Sequence, residues 1–303
     1  MYTPLVNSKS GWLTINKEVG MTSASVVNKI KKIMNVKKAG HAGTLDPLAS
    51  GVLPIALGEA TKTMSYAMNS IKSYEFDIKW GSSTDTDDLE GKILLENDKR
   101  PLKKEIVNIL PKFQGLIKQR PPAFSAIKIN GVRSYKLARN SIFSDIPARE
   151  VFIEKINLVK YIDKDIARLN VLCGKGVYIR SLARDLAIEL GTLGHIVYLK
   201  RLSVGSFFHK DAILLADIAK LVDKAKISKV LRPLSFVLDD IPAIDISRDE
   251  AFLLSRGQKI YKENLIVEEV KYKNDVYITS NNSPVALARV KNKYILPFRI
   301  FNN

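Results

Sequence analysis

The spacing of apolar and polar positions divides the chain into short strands and amphipathic helices. GWLTINK (11–17) is rich in β-formers and predicts a strand. Thr22 or Ser23 can then N-cap a helix with Val26, Val27, Ile30, Ile33 and Met34 on one face and Lys29, Lys31 and Lys32 on the rest. A loop of glycine, proline and small residues follows, GHAGTLDPLASG (40–51). Its continuation, VLPIAL, predicts a short buried strand before a second helix carrying Ala60, Met64, Ala67 and Met68. SYEFDIKW (73–80) alternates Tyr74, Phe76, Ile78 and Trp80 with Glu75, Asp77 and Lys79, the signature of a strand with one buried face. Beyond the turn TDTDDLEG, a helix is predicted over LKKEIVNILPKFQG, and Pro121 and Pro122 prevent its continuation. AFSAIKINGVRSYKLARNS turns at Asn130 and Gly131 and predicts an exposed hairpin or arm. RLNVLC predicts a strand, and YIRSLARDLAIELG a helix with Arg180 in its first turn and Gly191 closing it. HIVYLKRLSVGSF predicts another strand, giving a mixed α/β order. IPAIDIS marks a boundary, after which Ser247 caps a short helix and the remaining segments predict strands of a small β-barrel. With roughly fifty residues its core is marginal alone, so it is expected to dock on the larger unit.

Charge sharpens this picture. The 303 residues carry 48 Lys and Arg against 31 Asp and Glu, a net charge of +17, which points to a polyanionic partner. The excess is localised: from Lys99 to Arg149 there are twelve Lys and Arg and two acids, Glu105 and Asp145, a local balance of +10. The first residues, MYTPLVNSKSG, lack an apolar h-region, and the longest apolar run, GVLPIALG, is far short of a membrane span. A cytoplasmic protein is expected. The single Cys173 excludes a disulfide framework, and no CxxC or HxxxH spacing offers a metal site.

On residue types alone, the loop around Asp46 is first of all a turn-rich connection. Its functional reading is that Asp46, fixed by Pro47 and flanked by small residues, is presented to a ligand as a nucleophile or base. His41 reads as polar filler or a general base, and Tyr74 as a core aromatic or a ring available for stacking. Arg180 is less neutral: the positive end of a helix disfavours a cation, so an arginine there answers a carboxylate or a phosphate. The acidic run Asp85, Asp87, Asp88 and Glu90 could hold a hard metal, but a solvated turn is the simpler expectation.

Five stretches taken together, GWLTINKEVGMTSASVVNKIKK, GHAGTLDPLASGVLPIALGEATK, SYEFDIKWGSSTDTDDLEG, RPPAFSAIKINGVRSYKLAR and GVYIRSLARDLAIELGTLGHIVYLKRL, resemble the successive motifs of the bacterial tRNA pseudouridine-55 synthases, the TruB type. The match covers about residues 11 to 205, and the C-terminal β segment resembles the PUA RNA-binding module more loosely. The resemblance implies a pseudouridine synthase fold of the α/β (α+β) class, with a mixed, mainly antiparallel central sheet flanked by helices and a PUA-like barrel. It implies a catalytic domain over 1–240, with an RNA-clasping insertion about 124–150, and an RNA-binding domain over 241–303. It places the catalytic carboxylate on Asp46, the ring that stacks on uracil on Tyr74, and the arginine that pairs with the carboxylate on Arg180. His41 takes the place of the extruded base, Leu199 is the active-site leucine, and Lys17 matches a motif lysine with a more structural role. Lys128, Arg133, Lys136 and Arg139 belong to the clasping arm. The implied substrate is the T-arm stem-loop of tRNA, bound by a monomer with no obligate protein partner. Because the isomerisation exchanges one bond for another without redox change, no cofactor and no metal is expected. A non-catalytic RNA-binding protein and a guide-RNA-dependent synthase are the alternative readings; a glycoside hydrolase is a poorer third, since it needs a second carboxylate facing the first and nothing in the loop nominates one.

Overall fold

The computed structural model describes residues 10–125, 127–129, 131–134, 146–223, 226–263 and 275–302. β1 (Gly11–Lys17) leads into helix α1 (Ser23–Met34), and the chain returns through β2 (Ala39–His41) and β3 (Ser50–Leu57). Thr22 is the N-cap of α1, its hydroxyl accepting from the Ser25 amide at 3.0 Å, and Val26, Val27, Ile30 and Met34 are buried along one face. The predicted second helix divides into a 3-10 turn over Gly58–Thr63 and the short helix α2 (Met64–Asn69). The 3-10 period is three residues, so Ala60, Thr63 and Tyr66 face inward while Met68 turns out, 45% exposed.

β4 (Lys72–Trp80) is followed by the hairpin of β5 (Ser82–Thr84) and β6 (Ile93–Glu96), helix α3 (Lys103–Ile109) and β7 (Gly115–Gln119). β8 (Lys128–Ile129) and β9 (Val132–Arg133) pair as a small hairpin in register Lys128 to Arg133, as the turn signal predicts. Lys136 and Arg139, further along the predicted arm, lie outside the described residues. β10 (Arg149–Tyr161), β11 (Ile166–Cys173), helix α4 (Ile179–Glu189), β12 (Gly194–Val204), β13 (Phe207–Phe208), β14 (Ile213–Leu214) and helix α5 (Leu215–Asp223) complete the larger unit.

The central sheet runs β14-β1-β3-β12-β4-β11-β10-β7, with β2 on β3 and β13 on β12. Its ladders are antiparallel except β1 with β14 and β3 with β12, so the expected mixed, mainly antiparallel sheet is present. Helices α1 and α4 cover one face through Val26, Ile30, Leu182 and Leu186, packed with Phe76, Ile78 and Leu169. β3 and β12 meet at Gly51, whose φ is +102° and where a Cβ would lie 2.2 Å from the Arg201 carbonyl oxygen. Only glycine permits that approach.

Beyond Pro242 lie β15 (Ala243–Asp245), helix α6 (Arg248–Ser255), β16 (Ile260–Tyr261), β17 (Asp275–Ser280), β18 (Ser283–Lys291) and β19 (Tyr294–Ile300). They form a curled five-stranded sheet in the order β15-β17-β18-β19-β16, half of the predicted barrel. The expected docking is extensive: Tyr277, Leu287 and Phe301 share a core with Trp12, Val204 and Phe207. Lys62 Nζ donates to the Ile300 carbonyl at 2.6 Å, and the Tyr66 hydroxyl donates to Asp275 Oδ2 at 3.0 Å.

Candidate active site

The loop between β2 and β3 is held at each residue from Gly43 to Pro47. Ser23, at the start of α1, donates from its hydroxyl to the Leu45 carbonyl at 2.9 Å and accepts from the Leu45 amide at 2.8 Å. The Pro47 carbonyl accepts from the Gly20 amide at 2.8 Å and from Lys17 Nζ at 3.2 Å. Lys17 is 1% exposed, and its other two bonds go to the carbonyls of Glu18 and Met21. All three ammonium protons are thereby committed to backbone, and burial lowers its pKa to about 8 against the pull of Asp46. Arg201, on β12, donates from Nη2 to the Gly43 carbonyl at 2.9 Å and from Nη1 towards the Thr44 carbonyl at 3.5 Å. The Asp46 carbonyl accepts from the Ala49 amide at 3.1 Å, closing the turn.

Within this rigid loop the Asp46 carboxylate stays about one third exposed, while its partner is buried: Arg180, at the start of α4, donates from Nε to Asp46 Oδ2 at 2.9 Å. The guanidinium also donates from Nη1 to the Thr86 carbonyl at 2.8 Å and from Nη2 to the Phe124 carbonyl at 2.9 Å. Asp88 Oδ2 stands 3.6 Å from the same Nε, so two carboxylates share one arginine. The sequence expectation that a helix-start arginine answers an anion is met by this arrangement.

The acidic turn is solvated only in part: Glu90 is exposed as the sequence suggested, whereas Asp87 and Asp88 turn inward to arginines. Asp87 takes φ +60°, a conformation aspartate tolerates, and its carboxylate accepts from Arg184 Nη1 at 2.8 Å. Arg184 lies one helical turn after Arg180, so adjacent carboxylates meet arginines spaced four apart. Asp88 accepts from the Thr86 hydroxyl at 2.6 Å and from the Glu90 amide at 3.0 Å. Burial pushes Asp87 up to about 6 and raises Asp88, against the arginines in both cases. Among the described residues no group of His, Cys, Asp and Glu is arranged to hold a metal ion.

Tyr74 and Phe76 on β4 lie opposite Arg201 and Leu199 on β12, so the four side chains share one face of the sheet. Tyr74 is buried in the same cluster as Leu45, Leu48 and Leu199, and the Asp46 charge reaches its hydroxyl. Burial raises the Tyr74 pKa, and Arg201 opposes it. His41 sits on β2 opposite Ile55; its Nδ1 is buried and finds no hydrogen-bond partner among the described residues. Burial and then Arg201 lower its pKa, which leaves the ring neutral at pH 7. Asp46, Arg180, Tyr74, Leu199, His41 and Lys17 are thus gathered around one loop. Arg201 and Ser23 were not singled out from sequence. Their signals were faint: a basic residue in an alternating strand, and one of two hydroxyls at a helix start.

The family model described as TruB family pseudouridylate synthase (N terminal domain) matches residues 31–179, and the tRNA pseudouridylate synthase B C-terminal domain matches residues 180–239. The tRNA pseudouridine synthase B of Ehrlichia chaffeensis is 46% identical over 295 residues, which cover 96% of this chain and 99% of that protein. That of Rhodospirillum rubrum is 43% identical over 296 residues, covering 96% of each. Among solved structures, the archaeal box H/ACA sRNP Nop10-Cbf5 complex contains a chain with the same fold at 22% identity and a TM-score of 0.75, over 99% of this chain and 89% of that one. With identity of this extent along nearly the whole length, and with the loop, arginine and sheet face assembled as described, the chain belongs to the TruB family of pseudouridylate synthases.

Proposed function

We propose that this protein isomerises uridine 55 in the T-loop of tRNA to pseudouridine, with Asp46 as the catalytic carboxylate. The observation that carries this reading is the asymmetry of the ion pair: the arginine is 5% exposed and the carboxylate 35% exposed. A negative oxygen is presented to a ligand while its countercharge stays behind it. In the isomerisation the C1'–N1 bond breaks, the uracil turns, and C5 joins C1'; the C5 proton leaves and N1 gains one, so atoms balance. The reacting base is inaccessible inside an RNA stack and must be extruded, a cost of a few kcal/mol. Stacking on Tyr74 offsets part of it, at about 1–3 kcal/mol per base. Asp46 serves by attacking C1', by adding to the ring, or by removing the 2' proton. Each route needs it ionised and fixed in place.

The substrate reading rests on charge and on the relatives. The excess of +10 between Lys99 and Arg149 suits phosphate contacts that position RNA without reading bases. Splayed-out loop bases of a folded T-arm supply the specificity. In this reading residues 1–240 are the catalytic unit with the clasp about 124–150, residues 241–303 bind RNA, and a cytoplasmic monomer acts without a partner protein. The test is tritium release from tRNA transcripts made with 5-tritiated uridine, with no other RNA or protein added. Release is expected from the parent chain and none from Asp46→Asn, whose tRNA affinity stays within a few-fold. A transcript with cytidine at position 55 should release nothing. An active Asp46→Asn overturns the catalytic assignment, release from the cytidine transcript overturns the position, and a requirement for a guide RNA favours the guided reading.

A further inference from the structure

Arg201 is among the largest fully buried side chains, 1% exposed, and among the described residues no carboxylate lies within ion-pair distance of it. A buried charge without an ion pair is expensive, and the molecule meets that cost with carbonyl oxygens alone. Those oxygens are not scattered. Nε donates to Val52 at 2.7 Å on β3, Nη2 to Gly43 at 2.9 Å, and Nη1 points to Thr44 at 3.5 Å. Two of the three are the residues three and two positions ahead of Asp46. Gly43 has φ +102°, and a Cβ there would lie 3.4 Å from Arg201 Nη1, so the loop backbone passes close over the guanidinium. Across the β4–β12 ladder Arg201 lies directly opposite Tyr74, so the guanidinium charge and the phenol share one face of the sheet. Two residues away on the same strand and face is Leu199.

We propose that Arg201 is a positioning residue of the isomerisation: its planar fork ties the backbone ahead of Asp46 to the strand position opposite Tyr74, setting the distance between carboxylate and stacking ring. The inference rests on the reading of Asp46 and Tyr74 under Proposed function. Arginine is required because its donors point in fixed directions; a lysine keeps the charge but cannot reach three carbonyls from one plane. Arg201 itself has no exposed atom to offer the RNA, so it acts on turnover and not on grip.

The experiment compares the parent chain with Arg201→Lys and Arg201→Met in single-turnover tritium release, tRNA filter binding and thermal unfolding. The phenol carbon of Tyr74 is followed by NMR of protein labelled at tyrosine Cζ, with its signal assigned by loss in Tyr74→Phe. Loosening the loop by about 1 Å should slow the single-turnover rate about 100-fold in both variants. The tRNA affinity should stay within a few-fold, and the Tyr74 signal should shift in Arg201→Lys. Because Arg201→Met can fail to fold at the assay temperature, Arg201→Lys is the deciding variant. A folded Arg201→Lys with the parent's rate, or one losing rate and tRNA affinity in equal proportion, overturns the proposal. An active Asp46→Asn would instead remove the reading on which it rests, so the two failures are told apart.

Discussion

Replacing Arg180 by methionine removes a charge from a site that was built around it. The side chain is 5% exposed, and four oxygens face it: Asp46 Oδ2 at 2.9 Å, Asp88 Oδ2 at 3.6 Å and the carbonyls of Thr86 and Phe124. Asp46 can take up water in the variant because a third of it is already exposed. Asp88 cannot, with 4% of its side chain exposed, so an uncompensated buried carboxylate remains. Breaking a buried pair in this way costs about 3–5 kcal/mol. The pH dependence distinguishes this cause from simple loss of packing. Burial already raises Asp88 while Arg180 holds it down, so removing the arginine raises it further. A carboxyl whose folded pKa exceeds its unfolded value penalises folding above that folded pKa and is relieved by protonation as pH falls. The deficit of Arg180→Met relative to the parent, read as urea midpoints from pH 8 to pH 5, should therefore shrink on acidification. A deficit that is constant over that range, or grows towards pH 5, refutes the claim that Asp88 is left as an unpaired buried charge. In tritium release the variant should be inactive at every pH where it is folded.

Other perturbations follow from the same contacts. Lys17→Met leaves the carbonyls of Glu18, Met21 and Pro47 without their donor and should lower stability by about 3 kcal/mol at pH 7 in urea unfolding. The parent's Lys17 has its pKa depressed to about 8 from 10.5, so the parent gains stability above pH 8 and the variant's deficit should widen there, by about 1.4 kcal/mol per pH unit. Neutralising Lys128, Arg133, Lys136 and Arg139 together should raise KM for tRNA and flatten the salt dependence of binding by about one unit of slope per lost phosphate contact. An unchanged slope removes the arm from the RNA interface.

The strands with clean alternation were legible because one face is buried: Tyr74, Phe76, Ile78 and Trp80 lie inward on β4 as their spacing predicts. β10 was not legible, although it is the longest strand. Its ladder with β11 shifts register between Ile153 and Lys155 and again between Leu158 and Lys160, so the apolar phase changes twice within thirteen residues. Asp46 and Arg180 could be named as a pair only through the family resemblance and the rule about cations at helix starts. Local spacing carries no information across a sequence separation of 134. The acidic turn was misread for a related reason. Four acids in eight residues look solvated, as Glu90 is, but two arginines of a helix nearly a hundred residues later fold onto Asp87 and Asp88. Arg201 was hidden by its own strand, where a basic residue among LKRLS reads as an outward-facing side chain.

One guanidinium gathers backbone or carboxylate oxygens from residues 46, 86, 88 and 124. The candidate site consequently cannot assemble until well over half of the polypeptide has been made, since residue 180 of 303 must leave the ribosome before residue 46 has its countercharge. Such long closures are slow to form and reward the chain only at the end. Under the function proposed above, a nascent chain that has released its positive arm but not residue 180 is expected to be chemically silent.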